Sequence, residues 1–138
     1  MRLSKSSEYA IRCLVYMATA ETDLCPVQRL ADRLSIPYKY LGRLMSRLRE
    51  AGFVESVRGK NGGYRISKPL DQIHLEMIVD SVEGLENFNR CLLGSARCDE
   101  ENPCPMHEFW NGPKESINEM LADVSLADMV KSEGKKLS

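Results

Sequence analysis

At 138 residues the chain has room for one compact domain, or a small domain with an oligomerising extension, and not for a catalytic fold with two large lobes. Its formal net charge of −1 conceals an asymmetry: residues 1–68 carry 13 Lys and Arg against 6 Asp and Glu (+7), whereas residues 69–138 carry 6 against 14 (−8). A basic half points to a polyanion, most often nucleic acid, and no stretch reaches the roughly 18 uninterrupted apolar residues of a membrane span.

The opening Met1-Arg-Leu-Ser-Lys-Ser-Ser-Glu8 has no apolar run of signal-peptide type, so a cytoplasmic protein is expected. In that reducing compartment five cysteines argue against a disulfide framework, and three of them clustered argue for metal chemistry. Tyr9, Ala10, Cys13, Leu14 and Met17 recur at helical spacing, predicting an amphipathic helix from about Ser6 or Ser7 to Thr19. Cys13 on its buried face and Cys25 before Pro26 are read as packing residues.

A short helix over Pro26–Ser35, a tight turn at Ser35-Ile-Pro37 and a second helix over Tyr38–Ala51 ended by Gly52 follow helix-turn-helix grammar. Leu41, Leu44, Met45 and Leu48 form the inner stripe of that second helix. Its other face carries Tyr38, Lys39, Tyr40, Arg43, Ser46, Arg47 and Arg49, cations and donors suited to phosphates and base edges. Phe53-Val-Glu-Ser-Val57 and Tyr64-Arg-Ile-Ser67 then read as two strands around a glycine-rich turn, a wing whose Arg58, Lys60 and Arg65 can approach phosphates or a minor groove. The turn is no nucleotide loop, because no Lys-Ser/Thr follows Gly62-Gly63 and no helix opens there.

Leu75, Ile78, Val79 and Val82 mark a further helix, closed by Gly84 and expected beneath the winged domain, with His74 at its start as a capping or surface residue. Next comes a polar loop with three thiols and an imidazole: six residues separate Cys91 from Cys98, five separate Cys98 from Cys104, and two separate Cys104 from His107. Soft ligands in a wrapping loop suit structural zinc or an iron–sulfur cluster, and composition leaves both open. Asn111-Gly-Pro113 reads as the cap and first turn of a long helix whose Ile117, Met120, Leu121 and Val124 form an apolar stripe that a partner subunit would cover. Ser125-Leu-Ala-Asp128 starts a last short helix, and the tail from Lys131 looks disordered.

The expected architecture is mainly α with a small β-hairpin wing: a winged helix-turn-helix domain over 1–68, a connecting helix over 69–90, a cysteine-rich loop over 91–107, a dimerisation helix and short terminal helix over 108–130, and a tail over 131–138. No acid–base pair or nucleophile–base constellation stands outside the loop, so neither an enzyme nor a small-molecule substrate is expected.

With these residues in view the chain resembles the Rrf family of bacterial winged-helix transcription regulators, which has IscR-, NsrR- and RirA-like members. The resemblance spans nearly the whole length. It rests on Met1-Arg-Leu with Tyr9-Ala10, Ile36-Pro-Tyr-Lys-Tyr-Leu41 leading into Ser46-Arg-Leu-Arg-Glu-Ala-Gly-Phe-Val54, the wing Ser56-Val-Arg-Gly-Lys-Asn-Gly-Gly-Tyr-Arg65, and the three-cysteine loop.

The resemblance implies a homodimer on double-stranded DNA, with recognition helices in successive major grooves and wings at minor grooves. It implies an iron–sulfur cluster on Cys91, Cys98 and Cys104, 2Fe-2S favoured over 4Fe-4S, sensing iron–sulfur, redox or nitric oxide status. His107 matches the histidine that completes the site in IscR-like members. Glu8 competes for that role, since NsrR-like members reach the cluster with an acidic residue from the partner subunit. The rival reading is a zinc-stapled nucleic-acid-binding or assembly module that senses nothing. Two departures stand out: Gly42 replaces an acidic residue of IscR-like recognition helices, and Gly112-Pro113 interrupts the long helix.

Overall fold

The structure, a computed structural model, describes residues 3–88, Leu93, Glu101 and residues 103–132; it is mostly helical with one two-stranded antiparallel hairpin. Helix α1 (Lys5–Thr19) begins slightly earlier than the apolar periodicity predicts, because the Ser4 hydroxyl accepts from the Ser7 backbone N–H at 3.2 Å and caps the first turn. Its Ala10, Cys13, Leu14, Val15 and Met17 supply one wall of the core.

Helix α2 (Val27–Leu34) and helix α3 (Tyr38–Glu50) meet across the turn at Ser35, which takes the left-handed conformation (φ 55°) and donates its N–H to the Ala31 carbonyl. Ile36 in that turn is buried, and Leu41, Leu44, Met45 and Leu48 all face inward against α1 and α2. Each such side chain contributes on the order of 1.5–3 kcal/mol by leaving water.

Strand β1 (Val54–Val57) pairs with β2 (Gly63–Ile66), Val54 opposite Ile66 and Val57 opposite Gly63. Cys25 adds a third rung, its N–H and carbonyl bonding Tyr64 at 2.8 and 2.9 Å, so the wing is stitched to the segment entering α2. That stitch accounts for Gly63: a Cβ there would lie 2.7 Å from the Cys25 backbone.

Helix α4 (Leu75–Val82) packs against α1, α3 and α5, with Leu75, Ile78, Val79 and Val82 buried and His74 at its N-cap. Helix α5 (His107–Asp123) corrects the expected start after Asn111-Gly-Pro113: it begins at His107 and runs through Pro113. Pro113 has no N–H for the Phe109 carbonyl four residues back, and the first turn is held by the backbone N–H of buried Trp110, which donates to the Met106 carbonyl at 2.8 Å. Val79, Leu75, Phe88 and Leu121 form a second, smaller core between α4 and α5.

Helix α6 (Leu126–Lys131) opens on a capping box in which Ser125 and Asp128 exchange hydrogen bonds at 3.2 and 3.0 Å. Residues 133–138 of the expected tail lie outside the described residues.

Candidate nucleic-acid interface and thiol site

With α3 turned 100° per residue and Leu41, Leu44, Met45 and Leu48 inward, Lys39, Arg43, Ser46 and Glu50 point most directly outward. Tyr38, 55% exposed, flanks them on one side with Gly42 and Arg49. Arg58 and Lys60 are exposed at the wing tip. Among the described residues no acidic side chain pairs with Lys39, Arg43, Arg58 or Lys60, and cations outnumber the one carboxylate, Glu50, on the outward face of α3.

Tyr40, Arg47 and Arg65, also expected to face nucleic acid, make contacts within the fold, Arg47 while still exposed. Tyr40 is half-buried, its ring edge-on to Tyr9 at 5.6 Å and its hydroxyl bonded to the Ser6 hydroxyl, so it braces α3 against α1. Arg47 donates from Nη1 to the Val82 carbonyl at 3.2 Å, at the end of α4. Arg65 makes a close ion pair with Glu55 across the hairpin and a second at 3.5 Å with Asp23, tying the wing to the loop between α1 and α2. Ser6, Tyr40, Arg43, Leu44 and Arg47 line a cleft of about 180 Å³ along this edge of α3. The partners Ser6, Asp23 and Val82 carry no local sequence signal, because each meets its mate from 34 to 42 positions away.

Cys13 and Cys25 are fully buried. Burial pushes the Cys13 thiol up to about 12, only partly opposed by Arg12, and pushes Cys25 up as well, so neither supplies a thiolate near neutral pH. Cys104 is half-buried in the turn entering α5, and the His107 N–H donates to its carbonyl at 3.0 Å. This places Cys104 and His107 one turn apart along the backbone at the entry to α5. A soft-metal donor pair of this kind fits an iron–sulfur or zinc site. Cys91 and Cys98 lie outside the described residues.

Glu8 sits in the first turn of α1, ion-paired with Lys5 at 3.2 Å. Among the described residues no three His, Cys, Asp or Glu side chains are gathered to hold a metal, so Glu8 does not join Cys104 and His107 within one chain.

A family model described as Rrf2, iron-dependent transcriptional regulator, matches residues 3–132. The chain is 32% identical over 134 residues to the HTH-type transcriptional regulator IscR of Yersinia pseudotuberculosis, covering 96% of this chain and 81% of that protein. In fold it is similar to CymR, the global cysteine regulator of B. subtilis, with a TM-score of 0.80, 23% identity and coverage of 96% and 98% of the two chains. It is also similar to T. potens IscR, with a TM-score of 0.72, 24% identity and coverage of 100% and 93%.

Proposed function

The chain belongs to the Rrf2 family of transcriptional regulators, and from that premise we propose that it acts as a homodimer on double-stranded DNA and reads iron–sulfur, redox or nitric oxide status at its thiol site. The observation that carries the DNA half is the cationic surface shared by α3 and the wing tip, with Lys39, Arg43, Arg58 and Lys60 exposed and unpaired with acidic groups among the described residues. Against a duplex, α3 enters the major groove and presents Tyr38, Lys39, Arg43 and Arg47, while Arg58 and Lys60 lie beside phosphates or in the adjacent minor groove. Tyr40 and Arg65 act indirectly, holding α3 and the wing at their angles.

Cys91, Cys98 and Cys104, with His107 or Glu8 of the partner subunit as fourth donor, would hold the cluster, 2Fe-2S if His107 ligates and 4Fe-4S as the alternative. When bound, such a cluster supplies a centre that reacts with oxidants and nitric oxide. The chain's own contribution is the turn into α5, which sets Cys104 and His107 three positions apart. No helix of the described residues is long and apolar enough to cross a membrane.

Purification without air, followed by iron, sulfide and zinc analysis and a visible spectrum, tests this reading. Iron and sulfide in stoichiometric amounts support it. A colourless protein holding stoichiometric zinc, and unfolding when chelated, establishes the zinc-stapled module instead.

A further inference from the structure

We propose that the last turn of α4 is the joint through which the thiol site and α5 act on the recognition helix, with Glu83 and Arg47 as its positioning residues; this deepens the reading of the chain as a DNA-binding sensor. Glu83 Oε2 accepts from the Ser4 backbone N–H at 3.0 Å, from the Ser4 hydroxyl at 2.6 Å and, in a short contact, from the Ser7 hydroxyl. Ser7 is fully buried and Ser4 is the α1 cap, so one carboxylate grips the whole first turn of α1 from 79 positions away.

One residue earlier, the Val82 carbonyl accepts from Arg47 of α3. That carbonyl belongs to the helix end that lacks intrahelical donors and carries the negative pole, where a guanidinium is favoured. Two helices of the DNA-binding half therefore hold a single turn, and both do so through hydrogen bonds to or from charged groups, which are the stronger kind.

The chain leaves this turn through Gly84 (φ +80°) and a 3-10 turn at Glu86–Phe88. Phe88, only 4% exposed, packs on Leu75 and Val79 of α4 and Leu121 of α5, and Cys91 stands three residues further on. A close-packed side chain passes a displacement on instead of absorbing it. A shift of Phe88 or α5 is thus delivered to Val82 and Glu83, and from there to Arg47 and to Ser4 and Ser7.

Amide hydrogen exchange on the full chain, before and after N-ethylmaleimide, tests the joint. The reagent is aimed at the thiol-site cysteines, since Cys13 and Cys25 are buried. In the wild type we expect exchange in the first turn of α1 and the C-terminal half of α3 to rise by about fivefold or more on modification. Glu83→Gln should lose the α1 response and keep the α3 response. Arg47→Gln should do the reverse, and Glu86→Gln, at an exposed carboxylate three residues on, should keep both.

Thermal melts establish that each variant is folded; Glu83→Gln keeps the side chain's size but replaces the charged acceptor with a weaker neutral one, and Arg47→Gln withdraws the guanidinium. No response in the wild type, or an unchanged response in both Glu83→Gln and Arg47→Gln, overturns the joint. Repeating the exchange after anaerobic reconstitution with ferrous iron and sulfide separates the two claims. No iron uptake with the maleimide response intact removes the cluster and leaves the joint; uptake with no amide response removes the joint and leaves the cluster.

Discussion

Cys13 shows at the scale of one residue how burial decides what a thiol can do. Its folded pKa is raised from 9.0 to about 12, so the folded state holds its proton where the unfolded chain gives it up. The resulting stability is fully present below pH 9 and is lost as pH rises from about 9 to about 12, at most on the order of 4 kcal/mol by linkage. Urea titrations at pH 7, 9 and 10.5 should show a steeper alkaline loss in the wild type than in Cys13→Ala; parallel curves would remove the thiol as the cause. The cations divide by a similar logic. Arg43 points outward with no acidic partner among the described residues, so Arg43→Ala should weaken binding to DNA that the protein enriches from a random pool by roughly 1–3 kcal/mol, measured at fixed salt. Unchanged affinity would take α3 out of the interface.

Glycines at two elements should respond with opposite sign. In α3, a Cβ at Gly42 meets nothing within 4 Å, so Gly42→Ala should stabilise the helix by about 1 kcal/mol and raise the melting temperature. On the wing, Gly63→Ala forces a Cβ against the Cys25 backbone at 2.7 Å and should cost roughly 2 kcal/mol, with amide protection lost first at Cys25 and Tyr64. A melting temperature that falls in both, or rises in both, contradicts this assignment of space. The same two elements mark what was legible in the sequence. Helix-turn-helix and hairpin announced themselves because their signals are local: a stripe of Leu41, Leu44, Met45 and Leu48, a turn at Ser35–Pro37, a glycine-rich tip. Long-range pairing left no trace in local pattern, so the contacts of Tyr40 with Ser6 and Tyr9 and of Arg65 with Asp23 could not be read from it. Pro113 misplaced the start of α5 because a proline after Asn-Gly reads as a first-turn signal, whereas the helix starts at His107 and runs through it.

Across the whole molecule, α5 has more apolar surface than one chain can cover. Trp110, Ile117 and Leu121 lie on one side of the helix, the buried Leu121 packed against α4. Phe109, 71% exposed, and Met120, 48% exposed, fall on a second stripe with Pro113 and Ser116, about a quarter turn away at 100° per residue. A 17-residue helix is about 25 Å long, enough for two copies to cross and bury these stripes against each other. Because Phe109 and Met120 are exposed in one chain, Phe109→Asp and Met120→Asp should leave the monomer folded while weakening the dimer, each by roughly 2 kcal/mol or more in sedimentation equilibrium. DNA binding should fall further than either subunit's own contacts explain, because two linked recognition helices bind the second half-site at a high effective concentration that a monomer lacks, worth about 10²–10⁴ in affinity. Variants that stay dimeric with unchanged dissociation would move the interface off α5. Variants that become monomeric yet keep full DNA affinity would instead show that one winged domain suffices.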